Sequence, residues 1–504
     1  MVSKENLHLE LIEAMKAKKI DIEATLALLN TINSSNLDGN TSVDFTGLPE
    51  IDGKVIVNCK DIAYFDAPKA RAQEILELVK LPESLAGSHQ EGMWRFDKQA
   101  LARIGTALFT YTAYGVLNGG SATSYGDVKK NASINADVFN AIKPVFENLA
   151  PLCKDKPKGI TPAYINPDGT PGESFLICKM RILVEHAKAY LSMFGKPPRE
   201  ILPFFQMTSD GTDEALKEAY KKYEEHPWLK KGMALTGTRP TRPRTAIQPL
   251  IAAFTHSSAG SPRAIFSEAY GKPNNPLALP GGHGQSFQVL KYIYQSLLDD
   301  GYRFAMLGNV DNMGYYPDPL LIAITALSGN DAMFEFTYRT PLDVKGGIVV
   351  TLPNGKITAI DIGQSIPLAD VLAFEQQGKT VLANCGAGIF DLKVLTQKID
   401  EIIKALPIHL TDQDKDAGKY SQAEQTTWEV IGLLDKPGGL AVEKKQRFLA
   451  AKMLTETILG SWKDIDKLPR EFADTARLMQ DGIKHVLAGP CNLQLINGIW
   501  TAKD

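Results

Sequence analysis

Residues 108–116 form an apolar run rich in Phe, Tyr and Thr, and the run stops at Asn118-Gly119-Gly120. A β-favouring run that ends in a turn signal reads as a buried strand leading into a tight loop. Two adjacent glycines let a backbone approach a ligand closely with its amides turned outward. Ser121, Thr123 and Ser124 add hydroxyl donors to that concave surface, which then suits phosphate. Asn-Gly and Gly-Gly also mark β-hairpin turns, so the stretch 117–126 is open to both readings when taken alone.

Size permits an elaborate fold around this strand, since 504 residues suffice for two or three domains and a large core. A net charge of −3 gives no general attraction to nucleic acid or to an anionic membrane, so any polyanion site must be local. The cysteines, at 59, 153, 178, 385 and 491, contain no Cys-x-x-Cys pair, which argues against a disulfide framework and a structural zinc site. Lys4 and Glu5 lead into an amphipathic pattern instead of a signal sequence, and no apolar run reaches transmembrane length. These features predict a reduced, cytoplasmic enzyme.

Along the chain, residues 5–34 carry apolar groups at helical spacing, beginning with Leu7, Leu11, Ile12 and Met15. His8 lies at the edge of that stripe as a surface or boundary residue. Asp66-Ala67-Pro68 reads as a capped helix start with the helix running to Lys80, and 96–108 as another helix. Residues 1–105 therefore form an N-terminal helical extension. Helical spacing also marks 174–194 and 285–298, and strands are expected at 201–207, 303–308 and 331–339. From 411 onward the pattern is helical, near 421–434, 443–460 and 464–487.

Several motifs share one resemblance. LNGGSATSYG at 117–126 is similar to the nucleotide loop of the UDP-glucose pyrophosphorylases, with Ala122 where that family usually has glycine. LPGGHGQS at 279–286 resembles the family's Pro-Gly-His-Gly, Asn309-Val310-Asp311-Asn312 its Asn-Ser-Asp-Asn, and Thr340 to Gly347 its Ala-Asp-Val-Lys-Gly-Gly. The family's Pro-Lys pair follows its loop closely. Here it corresponds to Pro157-Lys158, so 127–156 must be an inserted excursion, read as a long, mobile lid. Lys129-Lys130 competes with Lys158 for that role. RPTRPR, 239–244, reads as a solvated basic loop with phosphate contact as the alternative.

The resemblance implies an α/β fold: a three-layer nucleotidyltransferase with a mixed, mainly parallel sheet, its catalytic domain at 106–410 and a helical C-terminal region at 411–504. It implies UTP and a sugar 1-phosphate, most simply glucose 1-phosphate, as substrates, with no nucleic acid or membrane as partner. Leu117, Asn118, Gly119, Gly120, Gln248, Gly282, Asn309 and Asp311 would hold the nucleotide, and His283, Lys345 and Asn384 the sugar phosphate. Lys158, Asp311 and Lys345 would be catalytic, with Mg²⁺ on Asp311. The C-terminal region would close on the cleft or mediate association. Two rivals remain: a silent nucleotide-sugar-binding protein, favoured by Ala122 and the insertion, and a nicotinamide dehydrogenase using Gly386 and Gly388 before Asp391.

Overall fold

A computed structural model describes residues 2–34, 43–87, 92–122, 125–133, 135–340, 343, 346–363 and 365–503. At its centre is a ten-stranded sheet. Its main path runs Ile56–Asn58, Pro437–Val442, Ala332–Tyr338, Leu382–Asp391, Phe304–Asn309, Thr112–Leu117, Phe204–Ser209 and Arg244–Gln248. All neighbours on that path are parallel except Leu382–Asp391, which runs against both of its own. The hairpin Gly346–Thr351 with Ile357–Ile362 joins beside it. Residues 112–117 are buried throughout, as expected for a strand covered on both faces.

Helices cover both faces, so the fold is a three-layer α/β sandwich with a mixed, mainly parallel sheet. One face packs Lys98–Leu108, Phe175–Phe194 and Pro319–Ser328, and the other Ser286–Asp299 and Leu392–Ala405. The crossing of Lys98–Leu108 on Pro319–Ser328 needs a glycine. A Cβ at Gly105 would lie 1.7 Å from the Pro319 carbonyl oxygen.

Both outer parts of the chain give strands to this sheet, Ile56–Asn58 from one side and Pro437–Val442 from the other. The C-terminal region is helical at Leu454–Leu459 and Arg470–Ala488. The helix expected near 421–434 is instead a hairpin strand, Gly418–Glu424, followed by a short 3₁₀ segment. Its partner is His409–Lys415, and the apolar residues of the stretch pack on a sheet in place of a helix face. Asp66 does not cap a helix. It lies in strand Tyr64–Pro68 and receives Arg95 Nε and Nη2 at 2.7 and 2.6 Å, and the helix starts after Pro68.

The excursion after the glycine loop is not a long loop. It folds as Val128–Ala132 and Ala136–Cys153, capped by the side chains of Asp127 and Asn135. Val138, Phe139, Ile142, Phe146 and Leu149 are buried in the main core. The expected solvated loop at 239–244 holds only in part: Arg239 and Arg242 are exposed, with Arg242 on Glu224 at 2.8 Å, but Pro240 and Thr241 are buried and Arg244 opens the strand Arg244–Gln248, where it meets Asp300 at 2.6 Å.

Arg447 and Glu335 form an ion pair in the interior. Arg447 donates Nε and Nη2 to the two Glu335 oxygens at 2.8 and 2.6 Å, and stands over the Tyr316 ring. Removing one partner of such a pair leaves an uncompensated charge. Glu335→Ala is expected to lower unfolding stability by about 3–5 kcal/mol, read from urea denaturation, whereas exposed Glu214→Ala should change it by less than about 0.5 kcal/mol.

Candidate active site

Register aligns the predicted residues at one edge of the sheet. Asn309 is paired with Leu117, Leu117 with Met207, and Ser209 with Gln248, so the carboxyl ends of four strands open together. In an open α/β sheet this edge is where ligands bind.

The glycine loop is anchored from both sides. Asn118 N donates to Met207 O at 2.8 Å, and its Nδ2 to Gln206 Oε1 at 3.0 Å. Ser209 Oγ donates to Gly119 O at 2.8 Å, and Lys158 N to Gly120 O at 3.0 Å. A Cβ on Gly120 would meet nothing within 4 Å, whereas one on Gly119 would come 3.3 Å from Gln248 Oε1. Ala122 is buried with no positive φ, so its methyl group imposes no backbone strain. Thr123 and Ser124 lie outside the described residues.

Lys158 meets Asp311, 153 positions away. Its Nζ lies 3.4 Å from Asp311 Oδ2, donates to Ala451 O, and sits 4.0 Å from the centre of the Tyr125 ring. Lys452 approaches the same Oδ2, also at 3.4 Å. Nothing in the sequence motifs had singled out Lys452. Burial works to raise the Asp311 carboxyl, but Lys452 and Lys158 outweigh it and hold it below its ordinary value. The Lys158 ammonium is itself pushed down by burial, which Asp311 opposes. Asp311 Oδ1 is buried and has no hydrogen-bond partner among the described residues. Lys129 and Lys130 are exposed on their short helix.

Asn312 ties this turn to the strand-like segment that brings Lys452. Its Oδ1 receives Leu449 N at 2.8 Å and its Nδ2 donates to Arg447 O at 3.0 Å. Beneath lies Lys179, buried, donating to the carbonyls of Asn312 and Tyr315 at 2.9 Å each and to Tyr114 Oη at 3.3 Å. Burial pushes its ammonium down to about 7, against the pull of Asp311.

A cleft of about 200 Å³ opens beside the turn. Asn309, His283, Asn384 and Lys452 line it, with Trp428 and Gly386. Thr427 N donates to His283 Nδ1 at 2.9 Å, so Nδ1 is an acceptor and the neutral ring carries its proton on Nε2. Burial, aided by Lys452, pushes His283 down to about 4. Gly282 (φ +80°) permits the close approach of Gln425, whose carbonyl oxygen would lie 2.4 Å from a Cβ there. Gln248 Nε2 donates to Gly282 O at 2.7 Å and to Gln285 Oε1 at 2.8 Å, and so joins the two glycine-bearing loops. Asn384 Oδ1 receives Gly386 N at 3.0 Å. Lys345 lies outside the described residues. Gly386 (φ +62°) sits at a bulge in the strand Leu382–Asp391, and pairing resumes at Ala387 and Gly388, so the chain continues as strand instead of turning into a helix there. Asp391 caps the next helix and faces Arg71 and Arg303.

For a divalent cation, the donor set is Asp311 Oδ1. Among the described residues no group of three or more His, Cys, Asp or Glu side chains converges on a metal position. A single buried, unpartnered carboxylate oxygen fits Mg²⁺, which commonly rests on one or two carboxylates plus substrate phosphates.

Comparison with known proteins points in the same direction as the motifs. The family model for UTP–glucose-1-phosphate uridylyltransferase matches residues 263–469. The probable UTP–glucose-1-phosphate uridylyltransferase of Schizosaccharomyces pombe is 25% identical over 294 residues, which cover 56% of this chain and 54% of that protein. The UTP–glucose-1-phosphate uridylyltransferase of Musa acuminata is 26% identical over 182 residues, 36% of this chain and 38% of that one. The chain thus matches about half the length of these curated relatives or less. The fold is similar to UDP-glucose phosphorylase from Trypanosoma brucei (TM-score 0.54, 17% identity, 90% of this chain and 77% of that one). It is also similar to the H191L mutant of UDP-glucose pyrophosphorylase from Leishmania major (TM-score 0.55, 16% identity, 91% and 79%).

Two half-buried histidines set a pH dependence of stability. Burial pushes His283 and His186 each down to about 4 from the ordinary 6.5. Between those values the unfolded chain binds more protons than the folded one, so stability rises with pH across the window and is lost as pH falls toward 4. Each histidine should contribute on the order of 3 kcal/mol to that loss. Urea midpoints measured against pH should slope in this window, and His186→Phe combined with His283→Gln should flatten the slope.

Proposed function

We propose that this chain transfers a uridylyl group from UTP to glucose 1-phosphate, forming UDP-glucose and releasing pyrophosphate. The observation that carries the proposal is Asp311, with one oxygen held by two lysines and the other buried without a partner, beside a glycine loop at the carboxyl edge of the sheet. The uridylyltransferase names of the matched relatives support it.

In this reading, Leu117, Asn118 and the amides of Gly119 and Gly120 carry the nucleotide, Gln248 and Gly282 face its base, and Asn309 supports Asp311. The sugar 1-phosphate lies against His283, whose Nε2–H donates a hydrogen bond without adding charge, and against Asn384 and Lys345. Its phosphate oxygen, already ionised, attacks the α-phosphorus in line, so no side chain need remove a proton. The P–O bond to the β-phosphate breaks and pyrophosphate leaves with the electron pair. Lys158 and Lys452 meet the charge that spreads over the phosphoryl oxygens in the transition state. Mg²⁺ on Asp311 would neutralise phosphate charge and fix the triphosphate geometry. The catalytic unit is placed at 106–410, completed by Lys452 from the C-terminal region, which is also the place for any oligomer contact. The reaction is assigned to the cytoplasm, in keeping with free cysteines throughout the described residues.

Pyrophosphate release from UTP, Mg²⁺ and a panel of sugar 1-phosphates tests the activity. Glucose 1-phosphate should be turned over, and Asp311→Asn should lower kcat by orders of magnitude and weaken the Mg²⁺ dependence. Lys158→Ala should cost about 3 kcal/mol, roughly a hundredfold, in kcat and kcat/KM together, with a smaller change in UTP affinity. Normal turnover by Lys158→Ala, with loss in Lys129→Ala or Lys130→Ala, would move the role to that pair. Lys345→Met should reduce kcat/KM while leaving the urea midpoint unchanged.

A further inference from the structure

The wall of the cleft contributed by Asp361, His409, Thr426 and Glu429 is not used in the reaction scheme above. Glu429 is braced there. Both of its oxygens lie 2.8 Å from His409 Nε2, and Thr426 Oγ1 donates to Oε2 at 2.6 Å. Fixed in this way, the carboxylate presents its remaining lone pairs in one orientation.

Asp361 is different. It is the next-to-last residue of the strand Ile357–Ile362, paired with Gly347, and its carboxylate takes no hydrogen bond among the described residues. A Cβ at Gly347 would lie 3.4 Å from Asp361 Oδ1 and 3.6 Å from Asn384 Nδ2, so a notch floored by glycine separates an acceptor from a donor. Asn384 Oδ1 is already engaged by Gly386 N at 3.0 Å, which leaves the amide to donate. Trp428 and Phe448 supply apolar surface to the same cleft.

Two carboxylates and one histidine leave this wall acidic even when His409 is charged. Burial and the charge of Glu429 both raise the Asp361 carboxyl, so the two acids already oppose each other. A hydroxyl satisfies the wall, because it donates to Asp361 or Glu429 while accepting from Asn384. A carboxylate on the sugar can donate to neither and adds a third like charge in a confined space.

Building on the uridylyltransfer reading, we propose that Asp361 and the His409-braced Glu429 form the selectivity wall of the sugar end. They admit hexose 1-phosphates whose distal groups are hydroxyls and reject hexuronic acid 1-phosphates.

The test is equilibrium binding of UTP, UDP-glucose and UDP-glucuronic acid by calorimetry with Mg²⁺, for the wild type, Asp361→Asn and Glu429→Gln. The wild type should bind UDP-glucuronic acid at least about thirtyfold more weakly than UDP-glucose, and each variant should narrow that ratio by about fivefold or more. Asp361→Asn removes no hydrogen bond among the described residues, so it keeps the comparison sound should Glu429→Gln fold poorly. Equal wild-type affinities, or a ratio unchanged in Asp361→Asn, overturn the selectivity wall while UTP and UDP-glucose binding leave the uridylyltransfer reading standing. A protein that binds none of the three ligands overturns both.

Discussion

A buried carboxylate beside the cleft, approached by two lysines from opposite parts of the chain, is what the rest of the structure serves. Asp311 Oδ2 has Lys158 and Lys452 at 3.4 Å each, and neither lysine is near it in sequence. Burying one carboxylate with two cations keeps the acid ionised where burial alone would protonate it. The arrangement also leaves an excess of positive charge aimed at the space above, with Oδ1 unspent. A polyanion entering that space neutralises what the protein has arranged. A chain of net charge −3 can in this way carry a local site for a polyanion.

Holding such charges in place takes a rigid support. The turn after Asp311 is tied by Asn312 to residues 447–449 and by Lys179 from below. Arg447, the residue whose carbonyl Asn312 holds, is itself locked onto Glu335 in the sheet. The path from Glu335 through Arg447 and Asn312 to Leu449 is therefore a chain of short, buried hydrogen bonds, and Lys452 follows three residues on. It brings a lysine whose side chain is 61% exposed to a carboxylate that is 11% exposed. Buried ion pairs contribute little net stability against an apolar alternative, and in this position Arg447 specifies where the backbone of 449–452 lies.

The mainly parallel sheet and several of its strands were legible because buried parallel strands write continuous apolar runs followed by glycine or Asx turns, whereas the order of the strands was not. The runs ending at Leu117 and Asn309 are of this kind. Leu382–Asp391 is as apolar, and its Gly386 and Gly388 imitate a dinucleotide turn; only its pairing with neighbours on both sides shows that the strand continues. The hairpin at 409–424 was read as helix because its exposed edge breaks the alternation that marks a strand. Lys452 was invisible for another reason. It stands in a stretch with no turn or glycine signal, and only packing against Asn312 and Asp311 brings it to the cleft. His283 was found as a residue, but its tautomer depends on Thr427, 144 positions away, and no local pattern carries that.

The excursion between the glycine loop and Lys158 shows what the site constrains and what it leaves free. Sequence distance between the two is long, yet the chain returns to the loop itself. Ala122 N donates to Lys156 O at 2.8 Å, Ser121 bridges Pro157, and Lys158 N closes on Gly120 O at 3.0 Å. The inserted residues meet the cost of their own ordering by burying Phe139, Ile142, Phe146 and Leu149, so they hang on the core and not on the loop. A longer connection adds only slowly to the closure entropy, and a capped helix removes most of that freedom again. The geometric demand is met wherever Lys158 is delivered beside Gly120 and Asp311. The number of residues in between is then free to vary, because no bond at the site counts them.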